Sequence, residues 1–197
     1  MLEPNWNQPG PTIEDVKRMW TEIKISNDPL NDAAIEMLLK ELRLTHDNGG
    51  AEFARFAFDP HPVLHWFGSR NRLDEINFFP RFFAFPGVVE AFAPLQSASI
   101  SLKLGVGGNP FKLDGELAET LVYGGAYSRF SGNSRQAKDL ASRFCDAVFG
   151  DRFEEILLFS SHEAWSDWFY GIAWDHTWIG FDKRECKVWI LCVTDTD

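Results

Sequence analysis

The sequence predicts a single α+β domain in which helices cover a mostly antiparallel sheet that ends in a C-terminal β-hairpin. Three observations predict it. Two amphipathic helical stretches open the chain and a third, Ser134 to Val148, follows later. Alternating apolar and polar residues mark a strand over 98–104. Two largely apolar runs near the end, GIAWDHTWIGFD and KVWILCVTDTD, flank a short polar turn. A chain of 197 residues suits one well-buried core, so the expected organisation is an extended arm over 1–11 and one domain over 12–197.

Each element has a local cause. Pro4, Pro9, Gly10 and Pro11 keep the first residues out of a helix. Thr12 stands three residues before Asp15, the spacing of a capping box, and Ile13, Val16, Trp20 and Ile23 recur at helical intervals. A second helix is expected to open at Asp28–Pro29, to bury Ile35, Leu38, Leu39 and Leu42 along one stripe, and to stop at Asn48, Gly49 and Gly50. From Phe53 to Phe92 prolines interrupt the pattern, and the segment reads as irregular chain and short elements pinned by phenylalanines. The likeness of FARFAFDPHP to FFPRFFAFPG follows from Phe-rich composition rather than from a repeat.

Further on, Ile100, Leu102 and Leu104 alternate with Ser101 and Lys103 as a half-buried strand does, and GVGGNP, 105–110, is expected as the turn that closes it. Asp114 is placed as the cap of a short helix carrying Leu117 and Leu121 and ending at Gly124–Gly125. The helix from Ser134 to Val148 lines up Ala137, Leu140, Ala141, Phe144 and Val148 and leaves at Gly150. The apolar run EILLF, 155–159, and a short helix opened by Ser160 and Glu163 precede the hairpin.

With Lys183–Cys186 as the connection, Asp182 faces Lys187, Trp178 faces Leu191, His176 faces Val193 and Trp174 faces Asp195. One side of the hairpin then carries His176, Trp178, Trp189, Leu191, Val193 and Asp195, and the other Asp175, Thr177, Ile179, Phe181, Val188, Ile190, Cys192 and Thr194. Both sides are largely apolar, which predicts strands covered on both faces.

Composition narrows the function classes. The net charge of −10 repels phosphate backbones and anionic headgroups, which argues against nucleic acid and membrane surfaces as ligands. The charge is uneven, since residues 150–197 hold ten acids against four bases. Three cysteines, an odd count without a C-x-x-C, suit a reducing cytoplasm better than a disulfide framework. The first residues lack the pattern of a signal peptide, and no run approaches the roughly 18 apolar residues that span a bilayer.

Several groups are candidates for chemistry. His176 with Asp195, a diagonal neighbour in the expected register, has the makings of a base and its orienting carboxylate, and Asp175 opposite Thr194 those of a structural hydrogen bond. His61 and His65 have the spacing of two metal ligands on one helix face, but Pro62 stands where a zinc-protease glutamate would be and no third ligand is specified. GVGGNP lacks the lysine and hydroxyl residue of a phosphate loop, no G-x-S-x-G elbow exists, and sequence-adjacent acids such as Glu154–Glu155 and Asp74–Glu75 read as solvated charges. Tyr123, Tyr127 and Arg129 flank a permissive Gly-Gly pair, as residues of binding loops do. Five of eight tryptophans lie within 165–189, and Trp165 and Trp168 together with Glu163, Asp167 and Asp182 would suit a cationic partner if exposed.

These readings converge on a non-catalytic, acidic intracellular binding protein that requires no cofactor. Its most concrete form is an immunity or antitoxin-type inhibitor of a basic protein such as a nuclease toxin, because complementary charge speeds encounter. The alternatives are a small hydrolase or metal-dependent enzyme centred on His176, Asp175 and Asp195, and a carbohydrate-binding module built on the tryptophans.

Overall fold

Six strands pair edge to edge in the computed structural model, which describes residues 3–96 and 104–197. They are β1 (Ile25–Asn27), β2 (Gly50–Phe58), β3 (Gly105–Gly108), β4 (Ile156–Ser161), β5 (His176–Asp182) and β6 (Lys187–Thr194). The sheet order is β1-β2-β6-β5-β4-β3, with every neighbouring pair antiparallel. Around it stand α1 (Ile13–Glu22), α2 (Ala33–Thr45), α3 (Pro62–Ser69), α4 (Phe78–Phe83), α5 (Pro86–Ala91), α6 (Pro110–Tyr123) and α7 (Ser134–Phe149). The α+β class is as the sequence predicts, and the sheet is antiparallel throughout.

The hairpin forms in the expected register, with Asp182 opposite Lys187, Trp178 opposite Leu191 and His176 opposite Val193. Its two apolar faces enter two separate cores. Ile179, Phe181, Val188, Ile190 and Cys192 pack under α1, α3, α4 and α5. Trp178, Trp189, Leu191 and Val193 pack under α2, α6 and α7. The central strands are therefore enclosed by helices on both sides, as strands without a polar face require.

Cap chemistry sets the helix starts. Thr12 and Asp15 form the expected capping box of α1, although Ile13 turns outward while Met19 and Trp20 take the buried stripe. The second helix opens at Asp32, four residues after the predicted Asp28, because Asp32 accepts the Ala34 N–H while Asp28 pairs with Arg55 and Lys187. Helix α6 also starts away from prediction, at the Asn109 cap with Pro110 in its first turn, and Asp114 lies inside it, paired to Lys138. Asn133 and Gln136 close a capping box on α7.

Three segments differ in kind from expectation. The stretch expected to be irregular begins instead within β2, an interior strand that buries Phe56 and Phe58 at period two against Phe82, while Pro62 opens α3. GVGG forms an edge strand rather than a turn, and a Cβ on Gly108 would press on Leu158 at 2.8 Å. Ser160 and Glu163 start no helix: Ser160 belongs to β4, and 162–175 runs as bends and turns. The 98–104 strand lies outside the described residues except for Leu104. Among the described residues no helix is long and apolar enough to cross a membrane.

One contact tests this packing directly. Gly180 sits opposite Trp189, and a Cβ there would press on the indole, 2.1 Å from its Cε2 and 2.3 Å from its Cζ2 and Nε1. Gly180→Ala is expected to lower unfolding free energy by about 1–3 kcal/mol, read by urea denaturation, because Trp189 is fully buried and has nowhere to move.

Candidate functional site

Side chains on one face of a strand recur every second residue. Trp178 and Leu158 face the α6–α7 layer, so His176, Ser160 and His162 lie toward the same side, where the ends of β4 and β5 pass beyond the apolar core. Opposite them the second half of α6 presents Glu116, Glu119, Thr120 and Tyr123 along a stripe of helical spacing. The two walls enclose a cleft of about 580 Å³, completed by Gly124, Arg129, Ala173 and Trp174.

Two fully buried aspartates hold the cleft in shape. Asp195, just past β6, accepts the Asn48 N–H at 2.9 Å and the Ala126 N–H at 2.7 Å, and Gly125 passes so close to its carboxylate that no side chain would fit. This pins the loop after α6, which carries Tyr127 and Arg129. Asp175, just before β5, accepts the Thr194 hydroxyl at 2.6 Å and the Gly171 N–H at 2.7 Å, with longer contacts from the N–H groups of Tyr170 and Ile172. This pins the segment that carries Ala173 and Trp174.

Inside the cleft, Trp178 donates its indole N–H to Glu116 at 3.0 Å, and the His176 ring lies parallel to Trp178 with centroids 5.5 Å apart. His176 Nδ1 meets His162 Nδ1 at 3.0 Å. Burial, then the nearby His162 and His46, push the His176 imidazole down to about 4, so the ring is neutral at neutral pH. The guanidinium of Arg129 is spent on the carbonyls of Gly125 and Ser128. What remains is a lining of aromatic rings and two carboxylates, with no lysine among the described residues that line it.

The predicted groups fall in different places. Asp175 and His176 project to opposite faces of the sheet, and Asp195 shares the face of His176 but spends its oxygens on backbone N–H groups, so no His–Asp pair assembles. Asp175 does meet Thr194, as its register position suggested. His61 caps α3 through the Val63 N–H and faces Glu22 at 3.6 Å, whereas His65 is exposed on that helix; among the described residues no group of three potential metal ligands forms around them. Trp165 is buried, donating to Thr177, and Asp182 is buried, paired to Arg152 at 2.9 Å, so neither reaches the surface. Glu163 and Asp167 are exposed and Trp168 is partly so. Tyr127 is 68% exposed beside the cleft's Asp195 clamp.

The sequence reading missed Glu116, Glu119, Ser160 and His162. Treating 156–161 as a strand paired with 177–182 would have put His162 opposite His176, and the stripe Glu116, Glu119, Tyr123 was legible at helical spacing. A second groove of about 460 Å³ lies between α2 and α7, but its two acids, Glu41 and Asp139, balance its two bases, Lys40 and Arg143, so it has no preference for charge. Compared with known proteins, the chain matches no family model, no curated protein and no solved structure.

Two measurements probe the site's framework. Asp195→Ala leaves the part-buried Asn48 and Ala126 N–H groups without their acceptor and is expected to destabilise the fold by about 1–3 kcal/mol in urea unfolding, with Asp195→Asn less harmful because it keeps one acceptor. His46, buried behind the cleft, is held below its usual 6.5 chiefly by burial, and its Nε2 has no partner among the described residues. A folded value below the unfolded one means that its contribution is complete above about pH 6.5 and fades as pH falls through the lowered folded value. Unfolding curves at about pH 7.5 and about pH 5 should therefore show a smaller acid loss for His46→Gln than for the parent protein.

Proposed function

We propose that the chain is a non-catalytic binding protein that grips a cationic group of a basic protein partner in the acidic aromatic cleft, in the manner of an immunity-type inhibitor of a nuclease toxin. The observation that carries this reading is the cleft lining: Glu116 and Glu119 share it with Trp174, Trp178 and Tyr123, and its one guanidinium among the described residues, that of Arg129, is turned to backbone carbonyls. A guanidinium or ammonium group entering there gains a ring face and a carboxylate together. Cation–π contact is worth about 0.5–2 kcal/mol and an exposed ion pair about 0.2–1 kcal/mol, so one side chain binds weakly and a protein surface is needed for tight association.

The exterior supports the same reading. A net charge of −10 steers basic partners inward and repels phosphate. Exposed Tyr123, Tyr127 and Tyr170 lie around the cleft and its Asn48–Asp195 clamp, with the Tyr170 hydroxyl donating to the Asn48 carbonyl. Tyrosines in such positions are the usual anchors of protein interfaces. Three buried, unpaired cysteines suit a reducing cytoplasm.

A short arginine-rich peptide, followed by tryptophan fluorescence, tests the reading. Binding should weaken as salt is raised, weaken about 2–5-fold in Glu119→Gln, and weaken further in Trp174→Ala. Salt-independent affinity that Glu119→Gln leaves unchanged would overturn it. Oligosaccharide binding that persists in high salt would point instead to a carbohydrate-binding module.

A further inference from the structure

We propose that His162 and His176 form a two-imidazole site for a divalent transition-metal ion, open to the cleft, whose other coordination positions are left to water or to an incoming ligand. The site stands apart from the cationic-partner reading, because it is tested with the ion alone.

The pairing of β4 with β5 runs Ser160 opposite Trp178 and Ser161 opposite Thr177, so the next residue, His162, falls opposite His176 on the same face. Directly opposed side chains on neighbouring antiparallel strands are close enough to share one ion. Their Nδ1 atoms are 3.0 Å apart and their rings stand at 86°. With each proton on Nε2, both Nδ1 atoms offer a lone pair within the 3.0 Å gap between the rings. Two imidazole nitrogens bound to one zinc ion at about 2.0–2.1 Å each are about 3.3 Å apart in tetrahedral geometry, so the pair has only to open by a few tenths of an ångström. His162 is exposed at the chain's exit from β4 and has room to do so.

The surroundings favour a cation. The neutral state of His176 keeps its lone pair available at neutral pH, and the Glu116 and Glu119 carboxylates across the cleft lower the cost of placing a double positive charge there. Among the described residues no third His, Cys, Asp or Glu joins the pair, so the protein supplies two ligands only. Such a site is weak and exchangeable, and imidazole ligands in the usual order of divalent affinities hold Cu²⁺ more tightly than Zn²⁺.

Trp178 is a built-in reporter, because the His176 ring lies parallel to it. Protein dialysed against a chelator is titrated with Cu²⁺, then with Zn²⁺, reading tryptophan quenching and bound metal per chain. One Cu²⁺ per chain with partial quenching is expected, with affinity falling at least about tenfold in His162→Ala and in His176→Ala, and unchanged in a His61→Ala/His65→Ala double variant. His162 is exposed, so its replacement leaves the fold intact, and a thermal melt of each variant verifies this. Binding that survives His162→Ala, or no ion bound by the parent protein at about 100 μM Cu²⁺, would overturn the site and leave the pair as a plain hydrogen bond between two imidazoles.

Discussion

Burial of β5 and β6 on both faces is the constraint from which the rest of the molecule follows. Residues 176–194 alternate between two apolar sets, and neither set can be left to water: Trp178, Trp189, Phe181 and Ile190 are all buried, each worth about 1.5–3 kcal/mol. Two layers of helix are therefore obligatory, and the phenylalanines of α4 and the leucines of α2 and α6 exist to supply them. The layers run out at one end of the sheet. There the strands carry Ser160, His162 and His176 in place of large apolar groups, and a cleft opens between strand ends and the end of α6.

The acidic character of the chain divides into two uses. Of the ten acids in residues 150–197, Glu155, Asp175, Asp182 and Asp195 are buried. They bind Arg184, Arg152, a threonine hydroxyl and backbone N–H groups, and so stiffen the fold from inside. A buried carboxylate that accepts several N–H groups has its charge dispersed at the point of greatest desolvation penalty. The carboxylates that face the cleft come from α6, which carries three acids, Asp114, Glu116 and Glu119, against the single base Lys112. The acid-rich end of the sequence thus supplies four structural acids, and the cleft takes its carboxylates from another part of the chain.

Much of the fold was legible because local rules and the tertiary outcome agree. The hairpin register followed from the four-residue turn and the double apolar alternation, and Thr12–Asp15 and Gly150 marked helix ends as cap chemistry requires. The errors have physical causes. FARFAF was hidden as a strand because prolines just after it resemble a broken region, although they in fact end β2 and start α3. Asp28 and Asp114 have the chemistry of caps but are drawn to Arg55 and Lys138, partners invisible to local sequence. The site was half legible: His176, Trp174, Tyr123 and Arg129 stood out, whereas His162 and Glu119 depend on the β4–β5 pairing and on the approach of α6.

The cleft is a rigid extension of the doubly covered sheet, held by Asp195 and Asp175. Amide hydrogen exchange, resolved by residue, reads that rigidity. The Ala126 and Gly171 N–H groups, which lie in loops, should exchange as slowly as amides within β5 and β6. Exchange of those loop amides at the rate of unprotected chain, while β5 and β6 stay protected, would contradict it.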